Sequence, residues 1–300
     1  MSTYKNIVLY HANCLDGAIA ALALLNGLDE TVTVLSPVQY DRIDEDALLR
    51  GCKDKDVYIV DFSFTLEMTR HLCDVADYVV FLDHHKTAID RFEGLSAMDV
   101  APNLFMRLDN DLSGAQLAWD YYTTALAPLE ATVDQLAEPW YVAHTGDRDL
   151  WKFELEGTRE ITAALYTRVN DLYQLQEMIE LPREEVLAIG TVLQHVYDAD
   201  TNRSVSRAYY GEVAGITVPI VNAHQHQSEI GNLLSIGQPF AAVWYISGDK
   251  VHVSLRSQKV GGTDVAAIAQ QFGGGGHKNA AGFALPVSVP MEFIPDGLKH

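Results

Sequence analysis

Short apolar runs recur through the first ninety positions, each followed by a stretch with helical spacing. Ile7–Tyr10, Val32–Leu35, Val57–Val60 and Tyr78–Leu82 predict buried strands, and Gly17–Leu25, Asp44–Arg50 and Leu66–Asp74 predict the helices between them. Strand and helix alternating over short connections predict an α/β domain: a parallel sheet with helices on both faces. The pattern turns helical over Ser113–Tyr122, with Ser113 as cap, and over Val133–His144. After Arg183 the positions Val186, Leu187, Ile189, Val192, Leu193 and Val196 predict one long helix, reaching to about Ser206. Tyr209-Tyr210-Gly211 then reads as the end of a connector. Beyond it, Ile216–Val221, Phe240–Ile246 and Val251–Leu255 predict strands, with a tight hairpin at Ser247-Gly248-Asp249 and a helix near Thr263–Phe272. The expected organisation is an N-terminal domain over 1–182, a helical connector over 183–210 and a smaller C-terminal α/β domain over 211–300.

Composition adds limits to this picture. The 300 residues suit one large domain or two ordinary ones, and 48% apolar residues suffice for a sizeable core. No run approaches the roughly 18–20 apolar residues of a membrane span, and no secretory signal precedes Ile7, so no membrane is expected. Three cysteines, Cys14, Cys52 and Cys73, are not in paired spacing and argue against a disulfide framework; the cytoplasm is the expected compartment. The net charge of −20 lacks the basic track that grips long duplex nucleic acid. A phosphate-bearing substrate is therefore expected to be short, with bound metals supplying much of the positive field.

The candidate chemistry lies at the strand ends. Asp83-His84-His85 follows an apolar strand directly, where parallel sheets bind ligands, and a carboxylate with two imidazoles suits divalent metal ions. His11 and Asp16 bracket the turn after the first strand, and Asp16 reads equally as a ligand or a helix cap. Asp61 in Val60-Asp61-Phe62-Ser63 falls one strand later, placed to bridge two metals. His144-Thr145-Gly146-Asp147-Arg148-Asp149 adds two acids, Asp147 the preferred ligand and Asp149 the second choice. Gly273–Gly276, followed by His277 and Lys278, offers backbone N–H groups and cations for an anion, and Arg256 ends a strand where it could grip phosphate or be a surface arginine. His224 and His226 read as surface polar residues. Phe62, Phe64, Trp151 and Phe283 are offered as stacking platforms for a base, Trp151 also reading as core.

Taken in order, these segments resemble the DHH/DHHA1 phosphoesterase superfamily, in its nanoRNase or oligoribonuclease-like branch. The match runs through nearly the whole chain: a His-and-Asp segment, Val-Asp-x-Ser, Asp-His-His, a later Asp, then Gly-Gly-Gly-His. The resemblance implies a two-domain enzyme with two divalent cations, usually manganese, in the N-terminal domain. It implies His11, Asp16, Asp61, Asp83, His84 and Asp147 as metal ligands, with His85 at the active site supporting the phosphate or leaving group. It also implies a C-terminal domain that holds substrate through Gly274, Gly275, Gly276, His277, Lys278 and Arg256. The chain departs at Cys14, which stands where many members carry the first of two aspartates, and the His11-to-Asp16 spacing is one residue longer than in the nanoRNase pattern. Cys14 has three readings: a soft ligand favouring zinc or iron, a small packed residue, or a weakened site; the packed residue is preferred. The expected activity is metal-assisted hydrolysis of short oligonucleotides. The alternatives are a phosphatase or pyrophosphatase acting on a nucleoside bisphosphate, cyclic dinucleotide or pyrophosphate, and a non-catalytic nucleotide-binding module. The expected assembly is a monomer or homodimer.

Overall fold

The alternating runs form β1 (Asn6–His11), α1 (Leu15–Leu25), β2 (Thr33–Val38), α2 (Glu45–Cys52), β3 (Asp56–Val60), α3 (Leu66–Val75), β4 (Tyr78–Asp83), α4 (Lys86–Arg91), α5 (Ala97–Val100) and β5 (Leu104–Leu108). The computed structural model, which describes residues 4–40 and 42–288, pairs all five strands in parallel in the order β2-β1-β3-β4-β5. Side chains alternate across the sheet, so each strand feeds two cores. Val8 and Tyr10 of β1 pack with α1 on one face, while Ile7 and Leu9 join Met68, Leu72 and Phe81 on the other. β5 carries no strong sequence signal because it is an edge strand: Phe105 is exposed and Met106 to Leu108 are half-buried.

A helical layer follows, with α6 (Gly114–Tyr121), α7 (Val133–Leu136), α8 (Trp140–Asp149), α9 (Thr158–Tyr166) and α10 (Leu172–Ile179). Ser113 caps α6 in a reciprocal capping box with Gln116, as its sequence predicts. The single helix expected over Val133–His144 is instead two, α7 and α8. Pro139 stands at the break, because its ring disfavours helical backbone at Glu138 before it. α1 is buried from Leu15 to Leu24; its alanines let the sheet and α6 approach it closely.

By its contacts the chain divides into two units, Met1–Gln194 and His195–His300, with α11 (Arg183–Val205) running across the division. The second unit holds β6 (Tyr209–Val213), β7 (Ile216–Asn222), α12 (Gln227–Leu234), β8 (Ala241–Ser247), β9 (Lys250–Arg256), α13 (Val265–Gln270), β10 (Gly275–His277) and β11 (Ala280–Pro286). They form a mixed six-stranded sheet in the order β10-β11-β9-β8-β7-β6, antiparallel except between β7 and β8. Tyr209 and Tyr210, expected in the connector, begin β6, which turns into β7 through Ala214 and Gly215, both at positive φ. The Gly248-Asp249 hairpin joins β8 to β9 where predicted, with Ser247 paired to Lys250. Among the described residues no helix is long and apolar enough to cross a membrane.

Candidate metal centre

β1, β3 and β4 end side by side, and the residues at their carboxyl ends converge. His11 Nδ1 lies 3.6 Å from Asp61 Oδ2, and the Cys14 sulfur shares their neighbourhood: one ligand atom from each falls within 4.8 Å of the others. Asp61 adopts left-handed backbone, φ +54°, which re-aims its side chain as β3 ends. Asp16 opens α1, but it does not cap its own helix. Its carboxylate accepts hydrogen bonds from Gly114 N at 2.5 Å and Ala115 N at 3.0 Å, the first turn of α6. This contact requires glycine at 114, where a Cβ would lie 2.6 Å from Asp61 Cβ and 2.8 Å from Asp16 Oδ2.

His84 occupies the middle of the acids. Its Nε2 lies 3.1 Å from Asp61 Oδ1, 3.4 Å from Asp16 Oδ2 and 3.5 Å from Asp149 Oδ2. Burial alone would lower its pKa, but the charges of Asp149, Asp61 and Asp16 outweigh burial and push it well up. Burial and the same crowding raise Asp16 to about 8 and raise Asp149. Burial would raise Asp61 too, but the imidazoles of His11 and His84 beside it outweigh that effect and hold it well down. Burial, then the charges of Asp61, Asp149 and Asp16, pushes the Cys14 thiol well up.

The two acids of α8 separate cleanly. Asp149 joins Asp16 and His84, with one ligand atom of each within 4.8 Å of the others. Asp147 organises the chain after α8 instead: its carboxylate accepts from Glu154 N at 2.8 Å, Leu155 N at 3.1 Å and the Thr158 hydroxyl at 2.5 Å. Asp147 is thus the preferred candidate of the sequence, and Asp149 is the acid that the structure brings to the cluster. His85 sits beside it, with Asp83 Oδ1 2.7 Å from its Nδ1 and also accepting from His84 N at 2.8 Å. Burial would lower the His85 pKa, but the Asp83 carboxylate raises it.

The donor set fits divalent cations. Asp61 Oδ2, Asp83 Oδ2 and Asp149 Oδ2 are buried oxygens that accept no hydrogen bond, although buried acceptors normally find a donor. Carboxylate oxygens, imidazole nitrogens and a thiol converge on them from four segments of chain, a combination that binds metal ions and is costly without positive charge. His11, Cys14 and Asp61 outline one subsite; Asp16, His84 and Asp149 outline a second, with Asp61 reaching both.

The aromatic candidates are redistributed. Phe62, Phe64 and Phe283 are packed into the cores and offer no platform, and Trp151 is half-buried beneath the Arg148 guanidinium at 4.8 Å. The ring the sequence did not single out is Tyr40, 54% exposed, stacked on Phe62 at 4.1 Å and 5.9 Å from the His11 ring. A cavity of about 550 Å³ opens along the ends of β1 and β2, lined by Asn13, Ser36, Gln39, Arg42 and Asn170 among others, with none of the candidate ligands in its wall.

In the second unit, register aligns Arg256 of β9, Ala280 of β11 and His277 of β10 in one row, so Arg256 and His277 share a face of the sheet. Arg256 donates to Ser228 Oγ at 2.8 Å. The four glycines do not form an open loop: Gly275 and Gly276 pair with β11. At Gly276, φ is +135° and a Cβ would lie 2.6 Å from Ala280 O. Lys278 is exposed, and its carbonyl accepts from Val265 N. His224 is exposed beside Tyr245, and His226 starts α12 in left-handed backbone.

Residues 211–296 match the DHHA1 domain family. A solved structure, the DHH domain of a protein assigned to a family of ribosomal proteins, matches with a TM-score of 0.55 at 14% identity, over 93% of this chain and 82% of that one. Residues 211–296 therefore carry a DHHA1 domain, and the chain as a whole shares the fold of that DHH-domain structure. The shared architecture is the parallel sheet with helices followed by the smaller mixed-sheet unit. Another relative is an uncharacterised protein, R106, of Acanthamoeba polyphaga mimivirus, 26% identical over 97% of this chain and 70% of its own length. A pGpG-specific phosphodiesterase, PggH from Vibrio cholerae, aligns at 16% identity and a TM-score of 0.40, over 94% of this chain and 93% of that one.

Proposed function

We propose that this DHH/DHHA1 protein is a metal-dependent phosphodiesterase that hydrolyses short oligoribonucleotides from an end. The observation that carries the reading is the convergence of His11, Asp16, Asp61, Asp83, His84 and Asp149, with Cys14, around buried carboxylate oxygens that accept no hydrogen bond. Two divalent cations held there, most simply manganese, would polarise the phosphoryl group and activate the attacking water. Asp61 would serve both subsites, with Oδ2 near His11 and Oδ1 near His84. Asp83 fixes the His85 ring through Nδ1, so His85 presents Nε2 and, with its raised pKa, delivers a proton there to the departing ribose oxygen. Asp147 ties the chain after α8 back to the helix that carries Asp149.

The surroundings support this substrate class. A cavity of about 550 Å³ at the ends of β1 and β2, close in sequence to His11 though not lined by it, is of small-ligand size. Tyr40 offers an exposed ring for a base, and Arg42 a cation for a second phosphate. In the second unit, Arg256, Gly274, Gly275, Gly276, His277 and Lys278 are inferred to bind substrate. The net charge of −20 disfavours long nucleic acid, and three free cysteines suit a reducing cytoplasm. The test is a panel of di- to pentaribonucleotides, a cyclic dinucleotide, a nucleoside bisphosphate and pyrophosphate, each incubated with the protein and manganese. Mononucleotide release from the linear oligonucleotides is expected. Turnover of pyrophosphate or the bisphosphate with dinucleotides untouched would favour a small-molecule phosphatase, and tight binding without turnover would favour a nucleotide-binding module.

A further inference from the structure

We propose that Cys14 is a metal ligand, completing with His11 and Asp61 a subsite that selects zinc-like divalent ions over manganese. The inference rests on the reading of the cluster as a metal centre. Cys14 differs from the other two cysteines in its surroundings. Cys52 and Cys73 are buried members of an apolar core, where a thiol packs as a small hydrophobe. Cys14 is half-buried, lies in none of the apolar clusters of its unit, and has its sulfur beside an imidazole nitrogen and a carboxylate oxygen. It stands at the N-cap of α1 in extended backbone (φ −114°, ψ 129°), where the Gly17 N–H meets its sulfur, an arrangement that a sulfur bound to a metal can keep.

The second, independent observation is Asp61. Its side chain is 1% exposed, and its Oδ2 accepts no hydrogen bond while lying 3.6 Å from His11 Nδ1, itself without a hydrogen-bond partner. A nitrogen, an oxygen and a sulfur donor therefore meet around an acceptor that lacks a donor. Sulfur is a soft ligand: a mixed S, N, O set suits zinc, whereas manganese prefers oxygen-rich sets. On binding, the S–H proton passes to solvent as the sulfur–metal bond forms. The second subsite, built on Asp16, His84 and Asp149 without sulfur, keeps the harder preference.

The test is spectroscopic and needs no turnover. Zinc-loaded wild-type protein is measured by X-ray absorption at the zinc edge, and cobalt-loaded protein by near-ultraviolet absorption. The expected results are a sulfur neighbour at about 2.3 Å and a sulfur-to-cobalt charge-transfer band. Cys14→Ser should lose the band and bind zinc at least about 10–100-fold more weakly, with manganese affinity not reduced. The wild-type spectra decide the matter even if the variant folds poorly. Stoichiometric zinc with only nitrogen and oxygen neighbours overturns the Cys14 assignment while leaving the metal centre standing. Failure of zinc, cobalt and manganese alike to bind overturns both.

Discussion

Asp61 meets the most demands of any residue in the centre. It ends a buried strand in left-handed backbone, a conformation that costs a residue with a Cβ about 1–2 kcal/mol, and it faces both subsites. Its neighbours divide into residues that hold ions and residues that hold those residues in place. Asp149→Asn should weaken manganese binding by about 10–100-fold in calorimetric titration, with the urea midpoint of the metal-free protein not lowered. Asp147→Asn should do the reverse in part: it removes a charged acceptor from two backbone N–H groups and the Thr158 hydroxyl, costing about 1–3 kcal/mol in urea unfolding. His85→Gln should cut the turnover rate by about 100- to 10,000-fold while metal stoichiometry, read by elemental analysis, stays at the wild-type value. Sequence could name Asp147 and Asp149 as a pair but not choose between them. Residues two apart at a helix end face different ways, and which of them meets the sheet depends on how α8 docks. The same limit applies to Phe62 and Tyr40: sequence shows two rings, and only packing shows that one is core and the other is its exposed cover.

The elements carry the site by where they stop. Three adjacent parallel strands with polar residues at their ends were legible in the alternation of the chain, because the period-two and helical patterns are strong when both faces of a sheet are buried. Less legible was α6. It supplies no ligand, yet its first turn approaches Asp16 and Asp61 closely enough to hold Asp16 by two backbone N–H groups. A glycine after a capping serine reads only as a helix start; its steric role appears when the fold brings Asp16, 98 positions away in sequence, beside it. Gly114→Ala should therefore push α6 away from both acids. The expected cost is about 1–3 kcal/mol in chemical denaturation, with manganese affinity lost along with it. The edge strands β5 and β6 escaped sequence reading for another reason, since their short, part-exposed runs lack a decisive period.

At the scale of the molecule, the metal-free centre is a concentration of raised pKa values. Asp16, at about 8, and Asp149, also raised, hold protons that the unfolded chain has already lost, chiefly through burial. His84 and His85 are raised because neighbouring carboxylates outweigh burial, so their contribution is complete below the unfolded imidazole value and fades as pH climbs through the folded one. All four shifts make the metal-free protein less stable with rising pH. Asp61 opposes them only in acid, since a lowered carboxyl contributes fully above its unfolded value. Between about pH 6.5, the ordinary imidazole value, and pH about 8, where Asp16 titrates, the melting temperature of metal-free protein should fall. A drop of at least about 2–4 °C, the shift that ~1 kcal/mol gives a chain of comparable size, is expected by scanning fluorimetry. Saturating manganese should flatten or reverse the trend, because the ions bind the deprotonated ligands. A rising melting temperature without metal would contradict the assigned charge states.

The central claim is that this cluster of strand-end residues hydrolyses phosphodiesters with bound metal. It is tested most directly by following mononucleotide release from a diribonucleotide as manganese is returned to chelator-treated protein. The expected curve is flat without metal, rises to saturation as manganese is returned, and is abolished in Asp61→Asn. Release that ignores chelation, or that survives Asp61→Asn at the wild-type rate, would contradict it.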